Sequence, residues 1–386
     1  MIRFLRTFVL ALALSAAGAA RAETPPAPFE AKATAAFLVD AETGTVLYEK
    51  AADRPFAPAA MAKMMTMAIV FEALKAGRIH LSDTFPVSEH AWRTGGAPSG
   101  SATMFAAVKS QIAVSDLVRG AIVQAGNDAC LILAEGIAGS EEAFVRLMND
   151  KARALGMAGS VFTNVTGFED PAQKVTARDM AKLALHLIET YPDYYRIYSE
   201  PDFTWNKIYQ RNRNPLLGMA IGADGLSTGS TAASGFSLTG SVVRGGHRAV
   251  VVVSGLASDA ERAAEARRLI EWGFSAYERV RLYEAGEPLG EVRVFGGAEG
   301  RVAVATRVPV DLLLMKGLRD QVRARIVYRG PVEAPVAKGQ EIGVVRVTVG
   351  DAPNQEQAVY ALADRPLGTM TQRALDGVGE LLLGWW

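Results

Sequence analysis

A lysine amine that is to take the proton from a hydroxyl must face it, and on a helix that places a serine one turn before the lysine. Lys63 stands at the start of a helical stretch, but the residue three before it is Ala60, whose methyl group can neither attack a carbonyl nor form an acyl-enzyme. Ser99 and Ser101 lie in a Gly-rich loop and Ser230 lies before a strand, and none of them has a lysine three residues on along a helix. His80, His90, His186 and His247 are scattered without ligand spacing, so no metal and no cofactor is predicted. Gly95, Gly96 and Gly100 mark a flexible loop rather than a phosphate cradle, because no strand leads into them and no G-K-[ST] follows. Cys130, the single cysteine, cannot form an internal disulfide and reads as a buried, inert thiol.

Three short segments carry more information together than any of these residues alone. They are Ala60-Met61-Ala62-Lys63 within PAAMAKMMT, Ala125-Gly126-Asn127 within VQAGNDAC, and Ser227-Thr228-Gly229 within ADGLSTGSTAASGF. With QRNRNPLL at 210–217 and a β-rich final third, the chain resembles the D-alanyl-D-alanine carboxypeptidases among the low-molecular-mass penicillin-binding proteins. In that family the segments read S-x-x-K, S-x-N and K-T-G, an acyl-transfer signature. The resemblance implies a nucleophilic serine activated by the lysine, a second serine relaying protons, and a lysine facing the substrate carboxylate. Ala60, Ala125 and Ser227 occupy those places here.

What the pattern keeps is a frame for binding. Lys63, Asn127, Thr228 and Gly229 match it, and Arg262 resembles the family arginine that supports carboxylate recognition. These five are the expected ligand-binding residues, and no catalytic residue is expected. The backbone N–H groups of Ala60 and Ser230 would still face an oxyanion. Lys63, with no hydroxyl to deprotonate, is expected to be a partly buried cation hydrogen-bonded to Asn127. The reading is an exported carboxypeptidase-like pseudoenzyme that holds peptidoglycan stem peptides or a cell-wall protein. Its alternative is an active serine-type D-Ala-D-Ala carboxypeptidase with a non-standard nucleophile.

The elements that must position these residues are legible in part. Residues 34–39 and 45–50 read as a hairpin, and Met61–Lys75 as a helix with Met61, Met64, Met65, Ala68, Phe71 and Leu74 on one face and Gly77 as its stop. Helices are predicted from Ser115 to Gln124 and from Asp128 to Ala138, a second hairpin over 235–253, and a helix from Glu261 to Tyr277. The mixture indicates an α+β fold over 27–277, a penicillin-binding or β-lactamase-like transpeptidase domain by resemblance. Short β-rich runs separated by Gly and Pro predict a small all-β sandwich over 282–366.

The termini bear on location. Arg3 and Arg6, the apolar run Phe8–Ala20 and the small-x-small Ala20-Arg21-Ala22 predict a signal peptide over 1–22, hence export to the periplasm. The tail 369–386 spaces Leu375, Val378, Leu382 and Trp385 as an amphipathic helix would. It reads either as a peripheral contact with the outer face of the inner membrane or as a helix docked on the sandwich. With 41 Lys+Arg against 41 Asp+Glu and no basic stripe, nucleic acid is not an expected partner.

Overall fold

The computed structural model describes residues 26–374. The expected signal segment 1–22 and the tail beyond 374 lie outside the described residues, although residues 370–374 are helical. The chain divides into two compact units, one over Pro28–Ser275 and one beginning at Ala276.

The first unit is built on the hairpin β1 (Ala35–Asp40) and β2 (Val46–Lys50). Two short antiparallel pairs follow, β3 (Thr84–Pro86) with β4 (Gln111–Ala113) and β5 (Asp202–Trp205) with β6 (Ile208–Arg211). Then β7 (Ala223–Thr231), β8 (Gly235–Arg244) and β9 (His247–Leu256) complete a five-stranded sheet of order β2-β1-β9-β8-β7. Gly245 and Gly246, at φ 56° and 83°, make the two-residue turn between β8 and β9, a geometry that side chains resist. Val250–Val253 are buried without alternation, as befits a central strand covered on both faces. The edge strand β7 is left to face the functional cleft.

The helices are α1 (Lys63–Lys75), α2 (Glu89–Gly95), α3 (Val114–Ile122), α4 (Asn127–Ala138), α5 (Glu141–Ala154), α6 (Ala177–Thr190), α7 (Pro192–Tyr195) and α8 (Asp259–Ala276). The hydrophobic face expected of α1 understates its burial. Every residue from Lys63 to Leu74 except Glu72 is buried, so α1 is the central helix of the core rather than an amphipathic one. Its expected first turn is a separate 3-10 turn, Ala59–Ala62, and Gly77 ends the region at φ 67°. Helices α5 and α6 are additional to those the periodicity marks.

The second unit is all-β. A six-stranded sheet has the order β14-β16-β17-β12-β11-β15, and β10 pairs with β13 beside it. Their ranges are β10 Tyr277–Tyr283, β11 Gly290–Phe295, β12 Arg301–Ala305, β13 Val310–Met315, β14 Val322–Tyr328, β15 Val332–Glu333, β16 Glu341–Val349 and β17 Ala352–Ala361. Val310, Leu312 and Leu314 alternate inward along β13 and share one core with Val302, Val345 and Val347 of the larger sheet. Residues 278–281, between the two expected domains, belong to β10, whose pairing with β13 satisfies the backbone that a loop would expose to water.

Candidate functional site

The three segments of the first unit converge on one cleft of about 490 Å³. Lys63, Asn127, Thr228, Gly229 and Arg262 all line it, together with Ala60, Ala125 and Ser230. Ser227, half-buried in β7, is not among the lining residues.

The floor is held open by strained and glycine-dependent backbone. Ala59 and Ala125 adopt φ 49° and 56°, a left-handed conformation that costs an alanine on the order of 1 kcal/mol. Gly229 runs so close to the 3-10 turn that a Cβ there would stand 2.5 Å from the Pro58 carbonyl oxygen and 3.2 Å from Ala60 N. Gly167 is tighter still, since a Cβ would fall 1.8 Å from Ala59 O. Only glycine lets these segments approach the turn that carries Ala60.

Lys63 opens the first turn of α1, and its amine is buried. It donates to Thr166 O at 2.5 Å, not to Asn127 as expected from the sequence. One turn on, Thr66 Oγ1 donates to Val165 O at 2.7 Å, so α1 clamps the 163–168 loop from two positions. That loop is also closed on itself, because Asn164 Oδ1 accepts from the N–H groups of Thr166, Gly167 and Phe168. Burial lowers the Lys63 amine to about 8, with Arg213 adding to the shift and Asp128 opposing it. Burial also pushes the nearby Cys130 thiol up to about 12, consistent with an inert thiol.

The break between α3 and α4 presents Asn127. Its Nδ2 donates to Ser101 Oγ at 2.9 Å, which shares a 2.6 Å hydrogen bond with Ser99 Oγ. The two loop serines are thus engaged with each other and with the amide rather than with Lys63. Asp128 next to it is fully buried and accepts from Thr103 Oγ1 and from the N–H groups of Met104, Ala106 and Ala129. It pins the 103–106 loop to the helix, a role the sequence reading did not assign.

Two arginines join the rest of the lining. Arg262 on α8 is buried, donates from Nη1 to Gly229 O and Ser237 O, and pairs with Asp259. Its buried Nε has no partner among the described residues, and burial lowers its pKa to about 10. Arg213, from the QRNRNPLL run, lines the cleft while its Nε donates to Gln124 O at 2.8 Å. The histidines lie elsewhere: His90 meets Glu135, His247 meets Glu42, and His186 meets Thr190. Among the described residues no group of acidic, histidine or cysteine side chains is arranged to hold a metal ion.

Residues 19–258 match the family model described as D-alanyl-D-alanine carboxypeptidase, and residues 277–366 match the C-terminal domain of penicillin-binding protein 5. The chain belongs to the D-alanyl-D-alanine carboxypeptidase family. The carboxypeptidase DacC of Escherichia coli is 38% identical over 349 residues, covering 90% of this chain and 87% of that protein. The carboxypeptidase DacA of Haemophilus influenzae is 36% identical over 384 residues, covering 98% and 93%. The crystal structure of penicillin-binding protein 5 from Haemophilus influenzae superposes with a TM-score of 0.77 at 36% identity, covering 88% of this chain and 99% of that one. Within this carboxypeptidase frame, position 60 holds a methyl group one turn before Lys63, and position 125 holds another beside Asn127.

Proposed function

We propose that the chain is a carboxypeptidase-like pseudoenzyme that binds peptidoglycan stem peptides, or a cell-wall partner presenting a similar peptide terminus, without cleaving them. One observation carries the reading: Ala60 lines the cleft at the place where Lys63 would need a hydroxyl, and the loop serines are bonded to one another and to Asn127. Covalent acyl transfer at position 60 has no nucleophile. The binding apparatus has capacity left, because Arg262 keeps a buried Nε without a partner among the described residues and Thr228 of the edge strand lines the cleft. Lys63, Asn127, Thr228, Gly229 and Arg262 are the residues assigned to the ligand.

Export to the periplasm belongs to the same reading and rests on the sequence of residues 1–22. A peripheral membrane contact through the tail 369–386 belongs to it too, and among the described residues no helix is long and apolar enough to cross a bilayer.

The test is the intact mass of the purified mature protein after incubation with excess penicillin, followed by calorimetry with a peptide ending in D-Ala-D-Ala. The expected results are an unchanged mass and measurable heat. A stable adduct of one penicillin would return the protein to the enzymes, and the labelled residue would name the nucleophile. No heat at millimolar peptide would end the binding role.

A further inference from the structure

The larger sheet of the second unit ends on strand β14, which pairs with β16 on one side and, among the described residues, with no strand on the other. The bond from Gly350 N to Gln321 O fixes the alternation along it. Residues 321, 323 and 325 turn their backbone toward β16, and 322, 324 and 326 turn theirs to the open side. Val322 is satisfied locally, its N–H by Arg319 O and its carbonyl by Arg323 Nη1. The N–H and C=O groups of Ala324 and Ile326 have no partner on that side among the described residues. Arg323 and Arg325 stand exposed on the solvent face of the sheet, and neither makes an ion pair among the described residues. Their neighbours on β16 are Thr348 and Arg346, and Arg346 is already paired with Glu356. On the inner face, Val322 and Ala324 pack against the second core but are only partly buried, so its cover is incomplete along this edge.

We propose that β14 is a docking edge for an extended acidic segment of a partner protein, which adds to the sheet as a further strand with carboxylates at alternate positions and apolar residues between them. The added strand bonds the open backbone of Ala324 and Ile326. Its residues opposite Arg323 and Arg325 form the non-hydrogen-bonded pairs, in which side chains on one face lie closest, and a carboxylate there meets each guanidinium. The intervening residues face the other way, over Val322 and Ala324, and complete the apolar cover. Charge decides against a second copy of this chain as the occupant, because an antiparallel pair of β14 strands would set arginine against arginine. The edge belongs to the second unit and the cleft to the first, so the proposal does not depend on what the cleft binds.

The test uses the full chain and a fluorescein-labelled peptide whose core alternates valine with glutamate, beside its counterpart with lysine in place of glutamate, titrated by fluorescence anisotropy. Opposite charges across the strands support a preference of roughly ten-fold for the glutamate peptide at low ionic strength, shrinking as salt is added. The double change Arg323→Glu with Arg325→Glu, at two exposed positions, should reverse that preference. Hydrogen exchange should slow at the Ala324 and Ile326 amides when the glutamate peptide is bound. N-methylation of the peptide's central valine keeps its charge and removes a strand bond, and should weaken binding by about ten-fold. No binding, or equal binding of the two peptides, would overturn the docking edge. Binding that survives N-methylation without slowed exchange would be a contact between charges rather than strand addition, and would overturn it as well. Binding of phosphatidylglycerol vesicles in place of the peptide, abolished by the double change, would overturn it by assigning the arginines to a membrane surface.

Discussion

Two buried charges stand at the starts of two core helices and are treated in opposite ways. Asp128, in the first turn of α4, is met by four donors and lies at the helix end whose dipole favours an anion. Lys63, in the first turn of α1, has Thr166 O as its hydrogen-bond acceptor and lies at the helix end whose dipole opposes a cation. Arg262 is likewise buried with an idle Nε. The saturated anion is structural and holds a loop. The cations keep bonding capacity at a cost in stability, a pattern that fits the ligand-binding role proposed above.

The largest effect should come from breaking the saturated partner. Asp128→Ala strands a hydroxyl and three backbone N–H groups, and should lower the unfolding free energy by on the order of 4 kcal/mol in urea titration. A loss below about 1 kcal/mol would show that the loop does not depend on it.

Next comes the side-chain chemistry that the frame lacks. Ala60→Ser alone should give little penicillin acylation or D-Ala release, because Ala125 and Ser227 still lack the relay hydroxyl and the charge. Adding Ala125→Ser and Ser227→Lys should raise the rate by roughly 10²-fold or more, read by intact mass and by released D-Ala. Full turnover by the single variant would refute the account of the missing parts.

The smallest of the three effects carries a sign. The Lys63 amine has a folded-state pKa of about 8 against an ordinary 10.5, so between these pH values the unfolded chain binds more protons and stability rises with pH. Below pH 8 the whole penalty, about 3 kcal/mol, is present. Lys63→Met removes it and loses the bond to Thr166 O, worth about 1 kcal/mol. The variant should therefore be more stable by about 2 kcal/mol at pH 7, with the advantage gone by pH 10.5. Destabilisation at pH 7 would show that the amine is better satisfied than its surroundings indicate.

Much of this was legible before any coordinates. The turns at residues 40–44 and 244–247, the β-rich run of β16 and the break at Ala125 are local signals, and the strands and helices follow them closely. The Met61–Leu74 pattern marks a core helix but understates its burial, because periodicity marks one face and cannot show that a helix is covered on all sides. Arg213 carries no spacing signal of its own. It reaches the cleft from a loop whose position depends on contacts far along the chain.

The sequence by itself determined which groups are present: a methyl at position 60, another at 125, a hydroxyl at 227, and the family frame around them. Side-chain identity is a covalent fact, and turn and strand preferences act over a few residues. The tertiary structure decided how those groups behave. Lys63 finds its acceptor 103 residues away, and Arg262 bonds a strand 33 residues before it. Burial, and with it pKa and unspent hydrogen-bonding capacity, depends on which distant segments close over a group, and no local spacing contains that information.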